Sequence, residues 1–278
     1  MKTVSAFAPA NISCVFKIHP HNNPRFAGSS GIGFTIDKGV TVSAKKAATT
    51  EIFFNKSPID FPTVAMVLQR LTNESLSVKI ETELQLGSGF GLSGASALAT
   101  AYAVNTLLNL KKTEKELAII AHTADVASKT GLGDVVNQFF GGFLVKFSPS
   151  SEFLVERLEL KNIPVYCKVF SKLPTNAVLS NNALQQAINH AADIALSKIK
   201  KIMDEKKSLR FEDVIDLSEE FGVESRLLQD EQVVKEIASV KKQGGHASMI
   251  MLGNAVFSNI PFPEATEFRI SKKGARLL

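Results

Sequence analysis

The sequence predicts an α+β protein built from two layered domains, and three observations carry that expectation. Strand-like and helix-like segments interleave, with hairpins, in both halves of the chain, which fits layered α+β domains better than a doubly wound sheet. At 278 residues the chain has room for one large domain or two of ordinary size, and its composition shifts just beyond Ser148-Pro149. A strand, a glycine-rich loop and a helix follow one another between Ser75 and Leu108. The expected division is residues 1–148 and 149–278, with the join near Ser148 to Glu152.

Bulk properties narrow the function classes. A hydrophobic content of 45% with 21% charged residues is that of a soluble globular chain. Apolar runs stop well short of a membrane span, and no signal-peptide pattern opens the sequence. Cys14 and Cys167 are too few for a disulfide framework or a cysteine metal site, so a reducing cytoplasm is expected. The net charge of +5 is spread out. Its densest patch, Lys198, Lys200, Lys201, Lys206 and Lys207, is interleaved with Asp204 and Glu205, as on a solvated helix face, and the exposed aromatic pattern of a nucleic-acid module is absent.

Taken in order, Thr3 to Pro9 reads as an edge strand ending at proline, and Val15 to Ile18 as a second short strand. Gly28-Ser29-Ser30-Gly31-Ile32-Gly33 reads as a turn leading into strands at Ile32–Asp37, Val40–Ala44 and Glu51–Phe54. That turn is either an ordinary hairpin or a substrate loop offering hydroxyls and N–H groups. Pro62 to Leu71 has helical spacing behind an N1 proline. Thr113 to Ala127 is a helix with a capping box, Thr113 and Glu116, and it carries His122 and Asp125 near its end. Thr130-Gly-Leu-Gly-Asp134 interrupts it before a short helix at Val135–Phe140 and a strand at Phe143–Phe147 that carries Lys146. Asp134 either caps that helix or serves a site. Strands at Phe153–Leu160 and Val165–Ser171 lead through Pro174-Thr175 to helices at Asn182–Met203, Phe211–Phe221 and Gln232–Lys241. A third glycine turn, Gln243 to Ser248, precedes strands at Met249–Leu252, Ala255–Phe257 and Glu267–Ser271.

The loop from Gly87 to Ala97 concentrates the chemistry. Gly87, Ser88, Gly89, Gly91, Ser93, Gly94, Ala95 and Ser96 stand between a strand and an Ala/Leu-rich helix, where unpaired N–H groups and the positive helix end favour an anion such as phosphate. No Lys follows the last glycine, so it is not a P-loop, and the glycine spacing is not that of a dinucleotide fold. Phosphate loop, hydroxyls and nearby carboxylates together are the parts of metal-assisted phosphoryl transfer.

The order and wording of these motifs resemble the GHMP small-molecule kinases over essentially the whole chain. The matching segments are Ala8-Pro9-Ala10-Asn11, Gly87 to Ala97, and Gly244 to Met251. Within the family the likeness is to the archaeal kinases acting on pantoate. It rests on Asn23-Pro24 with Gly28 to Phe34, Gly89 to Ala95, Thr130 to Val135, Ala247-Ser248-Met249 and Met251-Leu252-Gly253. The resemblance implies an N-terminal domain like ribosomal protein S5 and a C-terminal α/β sandwich, with ATP and Mg2+ between them. It implies transfer of phosphate to the 4-hydroxyl of pantoate, on the route to coenzyme A. In that reading Asp134 is the catalytic carboxylate and the glycine loop holds the ATP phosphates. Ser93 and Asp125 hold the metal, Asp125 standing where the family usually has Glu. Ser29, Ser30, His122 and Lys146 bind pantoate, with Arg25 a rival cation. Asn11 and Ser13 occupy the place of the lysine that mevalonate kinases carry, which argues against mevalonate as acceptor. Another hydroxy acid such as homoserine, or a non-catalytic nucleotide-binding relative, stands as the alternative. A homodimer is the expected assembly.

Overall fold

In the computed structural model, which describes residues 2–159, 163–171, 181–205 and 209–278, the first two strands form a long antiparallel ribbon. β1 (Thr3–His19) pairs along almost its whole length with β2 (Gly28–Lys46). β3 (Glu51–Phe54), β4 (Ser57–Pro58), α1 (Pro62–Leu71) and β5 (Leu76–Glu81) follow. β5 joins one end of β2 antiparallel and carries β3 beside it in parallel, α1 making the crossover. The glycine-rich loop then leads into α2 (Leu92–Leu108), followed by α3 (Glu114–Ala127), α4 (Asp134–Phe140) and β6 (Phe143–Lys146). β6 pairs with the other end of β2, and β7 (Glu156–Leu158) pairs with β6.

A second, antiparallel sheet has the order β11-β8-β10-β9, from β8 (Pro164–Ser171), β9 (Ala247–Met249), β10 (Asn254–Ser258) and β11 (Thr266–Arg269). Its helices are α5 (Asn182–Asp204), α6 (Phe211–Glu224) and α7 (Glu231–Lys242). β12 (Arg276–Leu277) returns to pair with β1 in the first sheet.

The ribbon is covered on both sides. α2 packs on β1 and β2, while α5 and α6 reach β1 from the C-terminal half. For that reason β1 is buried almost continuously from Ala8 to Phe16 instead of alternating. Phe34 joins the halves. Its ring meets Phe143 of β6, Phe211 of α6 and Phe257 of β10 edge-on, at centroid distances of 5.2, 5.6 and 5.8 Å. Apolar residues from both halves form one contiguous buried cluster.

Several expectations are corrected. Thr3–Pro9 and Val15–Ile18 are one strand, whose register shifts between Pro9 and Asn11 and again between Ser13 and Val15. The first shift falls at the proline, which has no N–H to give to a ladder. Gly28–Gly33 is not a turn but the start of β2. Its glycines let two backbones meet: Gly31 has φ +151°, and a Cβ there would collide with the Val15 carbonyl oxygen. The strand expected over Phe153–Leu160 is limited to β7, Leu160 lying outside the described residues, as do Pro174, Thr175, Lys206 and Lys207. β9 begins at Ala247, two residues before the expected strand, and β12 was not anticipated. Lys198 is paired with Glu220, as expected of a solvated face. Among the described residues no helix is long and apolar enough to cross a membrane.

Replacing Gly31 by Ala is expected to cost about 1–3 kcal/mol of stability, the usual range for overpacking, read as a lower urea midpoint at an unchanged slope.

Candidate active site

A cavity of about 340 Å3 lies between the glycine loop, the α3–α4 connection and β1. That is within the size range of small-molecule sites. It is lined by Gly87, Gly89, Gly91 and Ser93 of the loop, by Thr130, Gly131, Gly133 and Asp134 of the connection, and by Ser13 and Ser29 of the ribbon. Met251 and Leu252 close it from the C-terminal half.

The loop is shaped by left-handed backbone. Gly87, Gly89 and Gly91 have φ of 83°, 88° and 61°, and Gly91 is the N-cap of α2 with no side chain capping it. The first-turn N–H groups of α2 are therefore left without a side-chain acceptor, beside the cavity. Two contacts hold the loop in place. The N–H of Asn11 donates to the Phe90 carbonyl at 3.0 Å, and Gln138 Nε2 donates to the Gly91 carbonyl at 2.7 Å. Gly253 packs against Ser88 and Gly89, so the third family-like segment reaches the loop through Ile250–Gly253, not through its glycine pair.

Not every loop residue faces the cavity. Ser88 is fully buried and spends its hydroxyl on the Gln85 carbonyl at 2.5 Å. Gly94, Ala95 and Ser96 are buried one step inside α2, and the Ser96 hydroxyl has no hydrogen-bond partner among the described residues. Gly94 and Gly91 are spaces more than hinges. A Cβ on Gly94 would come within 3.2 Å of Asp125 Oδ2, and one on Gly91 within 3.0 Å of Asp134 Cγ.

The two carboxylates converge. A Cβ added to Gly131 would strike Asp125 Oδ2 and stand 3.0 Å from Asp134 Oδ2. Asp134 opens α4 at its first position, behind Gly133, with no side-chain cap bond. Its Oδ1 instead accepts from Asn11 Nδ2 at 2.6 Å. Burial raises its pKa, against the opposing pull of Lys146 and of hydrogen bonds from Asn11 and Ser13. Asp125 is 1% exposed, and burial followed by repulsion from Asp134 pushes its pKa up to about 7. A pair of hard oxygen ligands around a space without a Cβ, beside the Ser93 hydroxyl, is a donor set that fits Mg2+ shared with phosphates.

Lys146 sits behind Asp134. Its Nζ donates to Asn137 Oδ1 at 2.9 Å and to the Gly133 carbonyl at 3.1 Å. Asn137 Nδ2 in turn donates to Asn11 Oδ1 at 2.8 Å, completing an amide relay from Lys146 to Asp134. Burial lowers the Lys146 pKa to about 8, with Asp134 acting against the shift. Ser29 Oγ and Lys146 Nζ crowd the same face of Gly133.

Two other expected residues do not line the cavity. Ser30 Oγ is bonded to the His19 ring at 2.9 Å, and His122 Nε2 to the Ala27 carbonyl at 3.0 Å. Burial holds His122 down at about pKa 4, so at neutral pH it carries no charge, contrary to its expected place as a cation. Arg25 donates to the Ser151 carbonyl at 3.1 Å and stacks on Phe26, away from the cavity. Sequence reasoning missed Thr63, Thr130, Asn137 and Gln138. Only Thr130, inside the glycine-interrupted segment, carried any signal.

Comparison with known proteins shows the family. The family description "GHMP kinases N terminal domain" matches residues 61–142. A pantoate kinase of Methanocaldococcus jannaschii is 31% identical over 90% of both chains. Another, from Methanospirillum hungatei, is 31% identical over 92% of this chain and 86% of its own. Among solved structures, a "phosphotransferase related to CoA biosynthesis pathway" superposes with a TM-score of 0.84 at 25% identity, covering 99% of this chain and 98% of that one.

A folded-state pKa raised from 3.8 to about 7 means that Asp125 stabilises the metal-free fold in acid, and that this stability is lost as pH rises through 7. Asp125→Asn in EDTA is therefore expected to raise the unfolding midpoint at pH 8, the gain shrinking toward pH 4, as read by thermal melts across that range.

Proposed function

The chain belongs to the GHMP kinase family and is an ATP-dependent phosphotransferase, and we propose that it phosphorylates the 4-hydroxyl of pantoate to give 4-phosphopantoate. The observation that carries the reading is that Asp134, held by Asn11, faces the same cavity as the glycine loop. In this proposal the N–H groups of the loop from Gly87 to Ser96 receive the ATP phosphates, with Ser88, Gly94, Ala95 and Ser96 shaping the loop from behind. Asp134 accepts the proton of the acceptor hydroxyl while that oxygen attacks the terminal phosphorus in line and ADP leaves. Ser93 and Asp125 would hold Mg2+, which when bound neutralises charge on the transferring phosphate.

The acceptor's carboxylate is assigned to Lys146 and Ser29. Ser30 and His122 support that end by holding His19 and Ala27. The relay through Asn137 and Asn11 ties the orientation of Lys146 to that of Asp134, so the acceptor's carboxylate and its reacting hydroxyl are registered by one network. Residues 1–148 supply the loop and both carboxylates, and residues 149–278 supply the cover at Met251 and Leu252. This is the functional sense of the proposed two-domain division. Two free, buried cysteines suit a reducing cytoplasm, and a homodimer is proposed for the assembly.

The test is ADP release from ATP and Mg2+ with pantoate, homoserine, mevalonate and pantothenate in turn. Turnover is expected with pantoate, and Asp134→Ala is expected to lower kcat by about 10^3-fold, within the range for a lost general base. Turnover with homoserine alone would keep the kinase and replace the acceptor, and ATP binding without turnover would favour a non-catalytic relative. Lys146 binds a carboxylate only while protonated. The KM for pantoate is therefore expected to rise as pH passes through about 8, while Lys146→Met raises it below that pH and removes the dependence.

A further inference from the structure

Ser93 and Asp125, the two residues assigned above to the metal, do not touch through a direct hydrogen bond; two threonine hydroxyls stand between them. Thr63, fully buried at the second position of α1, has its Oγ1 3.0 Å from Ser93 Oγ and 3.1 Å from Thr130 Oγ1. Thr130 Oγ1 lies 2.7 Å from Asp125 Oδ1 and 3.2 Å from the Asp125 carbonyl. Each hydroxyl has one proton to give. With Asp125 ionised, as a cation ligand must be, both of its oxygens facing Thr130 are acceptors, so the Thr130 proton is committed to Asp125. The contact between Thr63 and Thr130 must then use the Thr63 proton, and that between Ser93 and Thr63 must use the Ser93 proton. The direction of the whole chain is set by its carboxylate end.

The consequence falls on Ser93. With its only proton directed back at Thr63, its oxygen presents lone pairs to the cavity it lines. That is the orientation a hydroxyl needs in order to ligate a cation, and the opposite of the one it would take if it donated to a phosphate. We propose that Thr63 and Thr130 are positioning residues whose hydroxyl chain, running from Ser93 to Asp125, turns the Ser93 oxygen toward a divalent cation and couples the two ligands. Thr63 also ties the start of α1 to the start of α2, so the orientation of Ser93 depends on how those two helices are seated.

The proposal rests on the kinase reading of the cavity, and the experiment separates the two. Mn2+ binding to the ATP-loaded protein is followed by the EPR signal of free Mn2+, alongside KM for Mg·ATP and thermal unfolding, for wild type, Thr63→Val, Thr63→Ser and Thr130→Val. Valine keeps the shape of threonine and removes the hydroxyl. Thr63→Val and Thr130→Val are expected to weaken Mn2+ binding about tenfold, as for a lost hydrogen bond to a charged group's network. ATP binding in EDTA should be unchanged, and Thr63→Ser should restore Mn2+ binding to within about twofold. The double valine variant should lose no more than the weaker-binding single one, because either break severs the same chain. Wild-type Mn2+ affinity in folded Thr63→Val, or a Thr63→Ser as impaired as Thr63→Val, would overturn the proposal and leave the kinase standing. A wild-type protein that binds no Mn2+ with ATP would overturn both.

Discussion

The pairing of β1 with β2 is the constraint from which the site follows. Because the ribbon is covered by helices on both faces, a register slip of one residue would carry each buried side chain to the opposite, differently packed face. Within that locked register the two bulges of β1 aim Asn11 and Ser13 at Asp134 and release the Asn11 N–H to the Phe90 carbonyl. The opposing strand carries Ser29 to the cavity and Phe34 into the aromatic contact that joins the two halves. One strand pair thus anchors the glycine loop, orients a carboxylate and holds the cover against the rest of the fold.

Around that frame the protein concentrates charge where burial opposes it. Asp125 and Asp134 are both pushed toward their neutral forms, and Lys146 toward its own. Such an arrangement is unfavourable in the empty fold and becomes favourable when ligands bring complementary charge, a pattern typical of functional sites. Neutral amides, Asn11 and Asn137, separate Lys146 from Asp134 in place of a direct ion pair. The lysine's charge then steadies the carboxylate without being consumed by it.

Space matters as much as charge. The glycines at 91, 94 and 131 stand where side chains of Asp134, Asp125 and Gln138 pass. Any side chain at these positions would push the carboxylates apart. The hydroxyls of Ser93, Thr63 and Thr130 fill the remaining gap with a chain of bonds whose polarity is set at one end.

Much of the architecture was legible locally. The capping box of α3 at Thr113 and Glu116 and the N1 proline of α1 are each written in adjacent residues and formed as read, whereas α2 starts at Leu92, so the second half of the expected Gly87–Ala97 loop is its first turn. The motif order also carried the family. By contrast, β1 and β2 look fragmented in sequence because Pro9 and Gly28–Gly33 signal turns when judged alone. Only the neighbouring strand reveals that the proline sits at a bulge and that the glycines make room for it. His122 reads as a possible cation in sequence, and burial against the Ala27 carbonyl decides otherwise. The sequence by itself determined the starts of α1 and α3 and placed glycines, hydroxyls and carboxylates in short neighbouring stretches, because caps, glycines and residue types act over a few neighbours. The tertiary structure alone decided which hydroxyls and amides meet those carboxylates, since Thr63, Asn11 and Lys146 come from separate elements and hydrogen bonds over such distances in the chain leave no local pattern.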